Sequence, residues 1–246
     1  TLVKMARLTG NADDVSHWER LVRRDDPKHV RLMFDQRWEA NGVPNYFAAP
    51  NNGMLMTNPF WAMRSPHFPN EYAKRMVHAW ALNRDRGFYG AFFPLAMARQ
   101  SMAKFKSQDD QAFGYTPDTA YFTLDGMFRQ SLKKEATELT LNHLIHYNYH
   151  PKWKIPMAPE AYRRDLSLFG DQYSNFNAGK ILLYLEGLAG LRYSIPEQKL
   201  TVQPALPKAW DWMEIRLPIA GHWTRLRYTR DGVRVTGSPL RSLKVD

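Results

Sequence analysis

The stretch LDGMFRQSLKKEATELTLNHLIHY, residues 124–147, decides the fold class of this 246-residue chain. Its apolar side chains recur at mostly helical spacings, which predicts one long helix from Leu124 to Tyr147. His150 precedes Pro151, and a residue before proline is biased away from the helical backbone, so we expect the helix to end there. The apolar positions of this stretch are Leu124, Met127, Phe128, Leu132, Leu139 and Ile145.

Two more stretches have the same helical period. Tyr72, Met76 and Trp80 stand four residues apart, which predicts a helix over about 71–82. Residues 177–191 predict a third helix. Its apolar face consists of Ile181, Leu182, Leu185, Leu188 and Ala189.

The pattern changes near residues 194–198. From Leu200 onwards apolar and polar side chains alternate, and this alternation is typical of strands with one buried face. Asp231-Gly232 predicts a hairpin turn within this region. The sequence therefore predicts a mainly α chain, with residues 1–195 as a helical part and residues 196–246 as a small antiparallel β appendage.

The composition excludes several classes of protein. The chain has 34 Lys and Arg against 24 Asp and Glu, a formal charge of +10, but its densest basic groups are pairs such as Arg23-Arg24. We therefore expect no nucleic acid partner. No apolar run approaches the roughly 18 residues of a membrane span. Because the chain has no cysteine, thiolate metal sites, disulfides and cysteine nucleophiles are excluded.

Long loops rich in aromatic and small polar residues separate the predicted helices. Loops of this length in a compact domain are functional or indicate misread elements, and their content favours function. Aromatic rings stack on the CH faces of sugars, while neighbouring carboxylates and amides bind the hydroxyl groups. Core packing beneath the loops is the alternative for each aromatic residue. The loops span residues 43–65, 86–94, 112–122 and 151–175.

The loop before the third predicted helix carries two carboxylates and several amides. Glu160 and Asp171 are the acids, and Gln172 follows the second of them. A loop of this composition can hold a carboxylate base together with sugar-binding groups. On the residues alone, Glu160 fits a surface acid better than a functional one, and Asn175 or Asn177 fits a helix N-cap.

Motifs for metal and nucleotide chemistry are missing from the sequence. His143 and His146 can share a helix face, but there is no His-Glu-x-x-His pattern. The sequence also lacks a Gly-x-Ser-x-Gly elbow, a P-loop and a Gly-x-Gly-x-x-Gly fingerprint. We therefore expect neither a metal nor a cofactor.

Four different motifs follow one another along the helical part: TNPFW (57–61), GFYGAFFP (87–94), PEAY (159–162) and GDQY (170–173). In this order they resemble the C-terminal half of an (α/α)6-barrel glycoside hydrolase. The resemblance is closest to the clan of family 63 processing α-glucosidases and family 37 trehalases. Residues 190–210 also resemble the β-rich domain that follows such barrels in related families, including the family 65 phosphorylases.

The resemblance implies an inverting glycosidase that acts on an α-linked glucoside or a similar oligosaccharide. Glu160 stands in the Glu-x-Tyr motif of the general base and would activate the attacking water. The sugar would stack on three aromatic side chains, and three polar side chains would bind its hydroxyl groups. These residues are Trp61, Tyr115 and Phe122 for stacking, and Asp118, Asp171 and Gln172 for hydroxyl binding.

Two departures from the family pattern leave other functions open. Residues 116–118 read Thr-Pro-Asp where those enzymes carry a Trp-Arg-Gly type of loop, and Asp13 and Asp14 lie in a predicted amphipathic helix that offers no general acid. A non-catalytic carbohydrate-binding or structural subunit with the same scaffold is the alternative. A phosphorylase, which would use phosphate in place of water, is a third reading.

The predicted helices are too few to close a barrel by themselves. A single helical layer cannot enclose a core, so the chain should pack against helices outside this sequence. We expect the general acid and the rest of the barrel to come from an upstream segment or another polypeptide. The interface should be largely apolar and exceed roughly 2,000 Å².

Overall fold

The computed structural model describes helices in the first part of the chain and small sheets in the last. The described residues are 2–22, 58–66, 68–85, 87–91, 93–95, 115, 117–149, 159–163, 165–172, 174–240 and 242–245. The helices are α1 (Leu2–Leu8), α2 (Ala12–Val22), α3 (Asn58–Trp61), α4 (Asn70–Met76), α5 (Pro117–Arg129), α6 (Lys133–Tyr149) and α7 (Ser174–Leu182). The strands are β1 (Pro159–Tyr162), β2 (Leu168–Gln172), β3 (Leu191–Ser194), β4 (Lys199–Val202), β5 (Trp212–Ile219), β6 (His222–Thr229), β7 (Gly232–Thr236) and β8 (Ser242–Val245).

The helix predicted over 124–147 is two helices. Helix α5 already begins at Pro117, inside a predicted loop, and a proline at the first helical position has the right φ for a helix start. Ser131 has a φ of 60°, which ends α5 and lets α6 begin at Lys133. The side chain of Gln130 stabilises this break, since its Nε2 donates to the carbonyl oxygen of Met63 at 2.9 Å.

The other two helices occur where their periodicity predicts them. Helix α4 continues into a π-helical turn, Val77–Ala81, so that the two segments together cover the predicted range. Helix α7 also continues into a π-helical turn, Leu183–Leu188. This helical run ends before the predicted residue 191, because strand β3 begins at Leu191.

One buried cluster of apolar and aromatic side chains holds helices α3 to α7 together. Gly126 of α5 lies against the segment 58–64, where an added Cβ would be 3.1 Å from the carbonyl oxygen of Phe60. A larger residue would therefore push α5 away from α3. Among the largest fully buried side chains of this cluster are Phe60, Met63, Met76, Trp80, Phe88, Phe93 and Leu124.

The predicted loop over 151–175 contains a hairpin. Strands β1 and β2 pair in antiparallel fashion, with Tyr162 opposite Leu168. Both strands are only four to five residues long, so they lack the extended alternation by which strands are recognised in a sequence. The last residues of the predicted loop over 43–65 are helical, because α3 and a 3₁₀ helix, Ala62–Arg64, occupy them.

The β part consists of two three-stranded sheets. Strands β5, β6 and β7 form an antiparallel meander. Thr229 pairs with Gly232, so the hairpin turn consists of Arg230 and Asp231, one residue before the predicted Asp231-Gly232. The second sheet has the order β3-β4-β8, and β4 and β8 are parallel. The prediction of an antiparallel appendage is therefore wrong for this pair. The chain passes through β5–β7 between β4 and β8, and this long connection lets β8 run in the same direction as β4.

A second apolar cluster lies beneath these sheets. It includes Leu144 of α6 and Leu188 beside side chains from four strands, so the sheets pack on the helices.

Strand β3 pairs with β4 across the predicted boundary at 195/196, and that boundary stays a prediction. Helices followed by small sheets agree with the predicted fold class, whereas the closed (α/α)6 barrel stays a prediction. Among the described residues, no helix is both long and apolar enough to cross a bilayer.

Candidate functional site

Tyr115 joins two of the regions that the sequence singles out. Its backbone N–H donates to the carbonyl oxygen of Tyr162 at 2.7 Å, and the N–H of Tyr162 donates back to the carbonyl oxygen of Tyr115 at 2.9 Å. Tyr115 also forms an antiparallel bridge with Leu95. Three parts of the chain therefore lie side by side: the end of the loop after α4, the residue Tyr115, and strand β1.

The side chain of Tyr115 stabilises the same arrangement. The residue is only 3% exposed, and its hydroxyl oxygen accepts a hydrogen bond from the backbone N–H of Ala91 at 2.7 Å. Gly90 lies so close to this hydroxyl that a side chain has no room there. These contacts hold the loop in position, and the predicted stacking of Tyr115 on a sugar stays a prediction.

Helix α6 fixes the same loop from the other side. The Oδ1 atom of Asn142 accepts the backbone N–H of Phe93 at 2.9 Å. The Nδ1 atom of His143 lies 3.0 Å from the carbonyl oxygen of Phe93. Because a carbonyl oxygen only accepts, Nδ1 of His143 carries the proton in this contact. His143 is thus a buried structural residue, while the side chain of His146 lies outside the described part.

The β1–β2 hairpin brings Glu160 close to Asp171 and Gln172 along the backbone. Pro159 pairs with Gln172, and the register shifts between Pro159 and Ala161, so Glu160 lies at a bulge. Bulges redirect side chains and are frequent beside active sites. The side chains of Glu160, Asp171 and Gln172 lie outside the described part of the structure, and their roles stay predictions.

The rings of Trp61 and Phe122, two predicted stacking residues, lie against each other, and their stacking on a sugar stays a prediction. Their ring centroids are 4.7 Å apart at an interplanar angle of 46°. The guanidinium carbon of Arg64 lies 5.0 Å from the centroid of Phe122. Asp118 precedes Phe122 by one turn of α5, and its side chain lies outside the described part. Helix α5 contacts strand β1, which connects this aromatic pair with the hairpin.

The indole N–H of Trp61 is buried, and among the described residues it has no hydrogen-bond partner. A buried donor without an acceptor costs free energy. The residue as a whole is only partly buried, and its predicted stacking on a sugar stays a prediction.

Asp125 is a buried acid that the sequence reading does not include. Its side chain is 1% exposed and binds three arginines that come from separate segments of the chain. The Oδ2 atom accepts from Arg64 and Arg129 at 2.8 Å, and Oδ1 accepts from Arg192 at 2.9 Å. Asp125 thereby ties the segment after α3, helix α5 and strand β3 to one another.

Glu186 adds a second carboxylate to this cluster, 3.0 Å from Arg192. Burial alone would lower the pKa of Arg129, but the hydrogen bond and the charge of Asp125 outweigh burial and raise it. Burial raises the pKa of Tyr121, and the charges of Asp125 and Glu186 raise it further. The cluster therefore favours the charged form of Arg129 and the neutral form of Tyr121. The only sequence signal for Asp125 is an acid within an apolar helix face, four residues before Arg129.

Lys180 is a further candidate that the sequence reading does not include. It lies in α7, which begins two residues after Gln172, and is 5% exposed. Burial lowers the pKa of Lys180 to about 8. A lysine with a pKa near neutrality is typical of functional sites, although structural networks produce it too. Within the described ranges, no group of three or more His, Asp or Glu residues could hold a metal ion.

Comparison with known proteins places the β part in a carbohydrate-active context. Residues 194–245 match the family described as "Glycosyl hydrolase family 65, C-terminal domain". This agrees with the resemblance of the tail to family 65 and does not support families 63 or 37 specifically. No curated protein matches the chain.

A solved structure that matches is described as "Putative kojibiose phosphorylase from human microbiome". The two chains are 14% identical, with a TM-score of 0.37. The match covers 53% of this chain and 17% of the other, so the chain spans less than a fifth of that protein's length.

Proposed function

We propose that this chain is the C-terminal part of an inverting glycoside hydrolase that acts on an α-linked glucoside or a similar oligosaccharide. The observation that carries the proposal is the match of residues 194–245 to a glycosyl hydrolase C-terminal domain. The backbone network around Tyr115 supports it, because it brings the loop after α4 next to the strand that contains Glu160.

In the proposed reaction Glu160 is the general base. Its carboxylate takes a proton from a water molecule, and the resulting hydroxide attacks the anomeric carbon on the face opposite to the leaving group. A carboxylic acid donates its proton to the leaving oxygen as the glycosidic bond breaks. Inversion requires the two carboxyl groups to lie roughly 6.5–9.5 Å apart, so that the water fits between them.

The remaining candidates bind the sugar. Trp61 and Phe122 offer adjacent aromatic faces beside the charged Arg64. Asp171 and Gln172 follow each other on the strand that pairs with β1. In this proposal Asp118, Asp171 and Gln172 bind hydroxyl groups, and the upstream segment or partner chain provides the general acid.

The exposed sides of the helices support a partner. Leu2, Met5 and Leu8 are spaced three residues apart on α1, and each is about half exposed. Ile145 of α6 and Ile181 of α7 are exposed to a similar degree. Apolar side chains of this size on several helix surfaces are what an incomplete helical layer leaves uncovered.

Residues 1–246 expressed alone should therefore aggregate or fold poorly, and co-expression with the polypeptide that completes the barrel should give a monodisperse complex. Size-exclusion chromatography with light scattering measures this. Within the complex, Met5→Lys should weaken association by at least about tenfold, because a charge replaces an apolar contact. Ser16→Lys on the neighbouring helix α2 is the control and should have no effect.

A monodisperse monomer of 1–246 that unfolds cooperatively without a partner would contradict this expectation. In that case the chain would be a complete domain, and the exposed apolar side chains would be ordinary surface residues.

A phosphorylase is the second candidate, because the matched C-terminal domain is that of family 65, which the sequence reading connects with phosphorylases. Turnover of α-linked disaccharides with and without inorganic phosphate distinguishes the two. The proposed hydrolase releases free sugar in phosphate-free buffer. Strict dependence on phosphate would identify a phosphorylase, and glycan binding without turnover would identify a non-catalytic subunit.

A further inference from the structure

The outer face of the β5-β6-β7 sheet is exposed and combines aromatic with basic side chains. Successive residues of a strand point to opposite sides of a sheet. In β6 the buried residues are Thr224, Leu226 and Tyr228, so the residues between them face outward. The structure describes all residues of these three strands. By register, the outward set comprises Trp212, Glu214, Arg216, Pro218, Trp223, Arg225, Arg227, Thr229, Arg234 and Thr236.

Two tryptophans stand at opposite ends of this face. Trp223 is 72% exposed and Trp212 is 55% exposed. Trp223 pairs with Pro218, which is six residues from Trp212 along β5. At a rise of about 3.4 Å per residue, the two tryptophans are about 20 Å apart. Large aromatic side chains with this exposure are characteristic of binding surfaces rather than of a packed core.

Arginines fill the space between the tryptophans. Arg216, Arg225, Arg227 and Arg234 face outward with a single carboxylate, Glu214. The Oε2 atom of Glu214 accepts from Arg225 at 2.6 Å, and its Oε1 accepts from Arg216 at 3.1 Å. A guanidinium group has five N–H donors. The face therefore keeps an excess of positive charge and many donors directed to solvent.

The arginines are also held in place. The guanidinium carbon of Arg227 lies 5.0 Å from the ring centroid of Trp212. The hydrogen bond from Arg225 lowers the pKa of Glu214 and so favours its ionised form. Beside Trp223, an open groove of about 340 Å³ is lined by Arg216, Thr224 and Arg225.

We infer that this outer face binds an anionic polysaccharide. A sugar ring would lie in the groove against Trp223, and carboxylate or sulfate groups along the chain would bind Arg216, Arg225 and Arg227. Arginine suits such groups because its planar donors bind both oxygens of an anion at once. The distance between the tryptophans fits an extended polymer that reaches from one to the other.

The choice of a polysaccharide over other polyanions rests on the proposed function, in which the neighbouring part of the chain processes sugars. Exposed aromatic and basic residues also bind single-stranded nucleic acid, because bases stack as well. The two ligands are distinguished by experiment.

The test measures binding of alginate, which carries carboxylates, and of dextran sulfate, which carries sulfates, to the full protein by calorimetry. We expect one or both to bind and neutral dextran to bind at least about tenfold more weakly. Trp223→Ala should lower the affinity about tenfold, and Trp223→Phe should retain most of it. Arg216→Ala should weaken binding and reduce its salt dependence. Tyr193→Ala, at an exposed aromatic residue of the other sheet, is the matched control.

Three results would overturn the inference. The first is that neither alginate nor dextran sulfate binds. The second is that polyglutamate binds as tightly as these polymers and Trp223→Ala has no effect, and the third is that oligodeoxythymidylate binds as tightly as they do and depends on Trp223. Circular dichroism melting of each variant verifies that the sheet is intact. Turnover of a small glucoside should be unchanged in Trp223→Ala, and polysaccharide binding should be unchanged in Glu160→Gln. A failure of this inference can therefore be told apart from a failure of the proposed function.

Discussion

Glu160→Gln in the full-length protein should lower the turnover number for hydrolysis by about 10² to 10⁴. Glutamine keeps the size of the side chain and its ability to hydrogen-bond, but it cannot take a proton from the attacking water. The Michaelis constant should change little, because the base acts on water rather than on the sugar.

Glu138→Gln is the matched control for this variant. Glu138 is an exposed acid of helix α6, away from the hairpin that contains Glu160. The Glu138→Gln protein should hydrolyse the substrate at the wild-type rate. Hydrolysis at the wild-type rate by a folded Glu160→Gln protein would contradict the assignment of the base.

Asp125→Asn should cause the largest loss of stability among single polar substitutions. The change removes the charge that neutralises Arg64, Arg129 and Arg192, all of which bind a side chain that is 1% exposed. Breaking a buried ion pair costs about 3–5 kcal/mol of unfolding free energy. Because the arginines themselves are about one-third exposed, we expect the lower end of this range. The melting midpoint should fall by roughly 10 °C.

Differential scanning calorimetry of the assembled protein measures this midpoint. Asp211→Asn, at an exposed acid before strand β5, should leave it within about 2 °C of the wild type. If Asp125→Asn lowered the midpoint no more than this control, the cluster would contribute nothing to holding α5, β3 and the segment after α3 together.

The helical segments near residues 71–82, 124–147 and 177–191 were predictable from the sequence because their apolar residues repeat locally, whereas the short helix α3 was not, since it lies in a predicted loop. The break at Ser131 was not, since it depends on a left-handed residue and on the bond from Gln130 to Met63, 67 residues away. Likewise, the strands of the meander show clear alternation, whereas β1 and β2 are too short for it. The parallel pairing of β4 with β8 is a property of topology, and periodicity carries no information about it.

The candidate site was predictable only in part, for the same reason. The aromatic and acidic loops stand out by composition, but the contact between Trp61 and Phe122 joins two separate loops and was not predicted. The bridges from Tyr115 to Leu95 and Tyr162 join residues far apart in sequence, which no local pattern encodes. Asp125 and Lys180 resemble surface residues in a linear reading, because a charged side chain is rarely buried.

The configuration of the first product shows whether the enzyme hydrolyses its substrate with inversion. Proton NMR of the anomeric region, recorded within minutes of adding the full-length protein to an α-linked glucoside in phosphate-free buffer, distinguishes the two anomers before they interconvert. We expect the β-anomer of the released sugar to appear first, since water attacks from the side opposite to the leaving group. First appearance of the α-anomer, or release of sugar phosphate only after phosphate is added, would contradict an inverting hydrolase with Glu160 as its base.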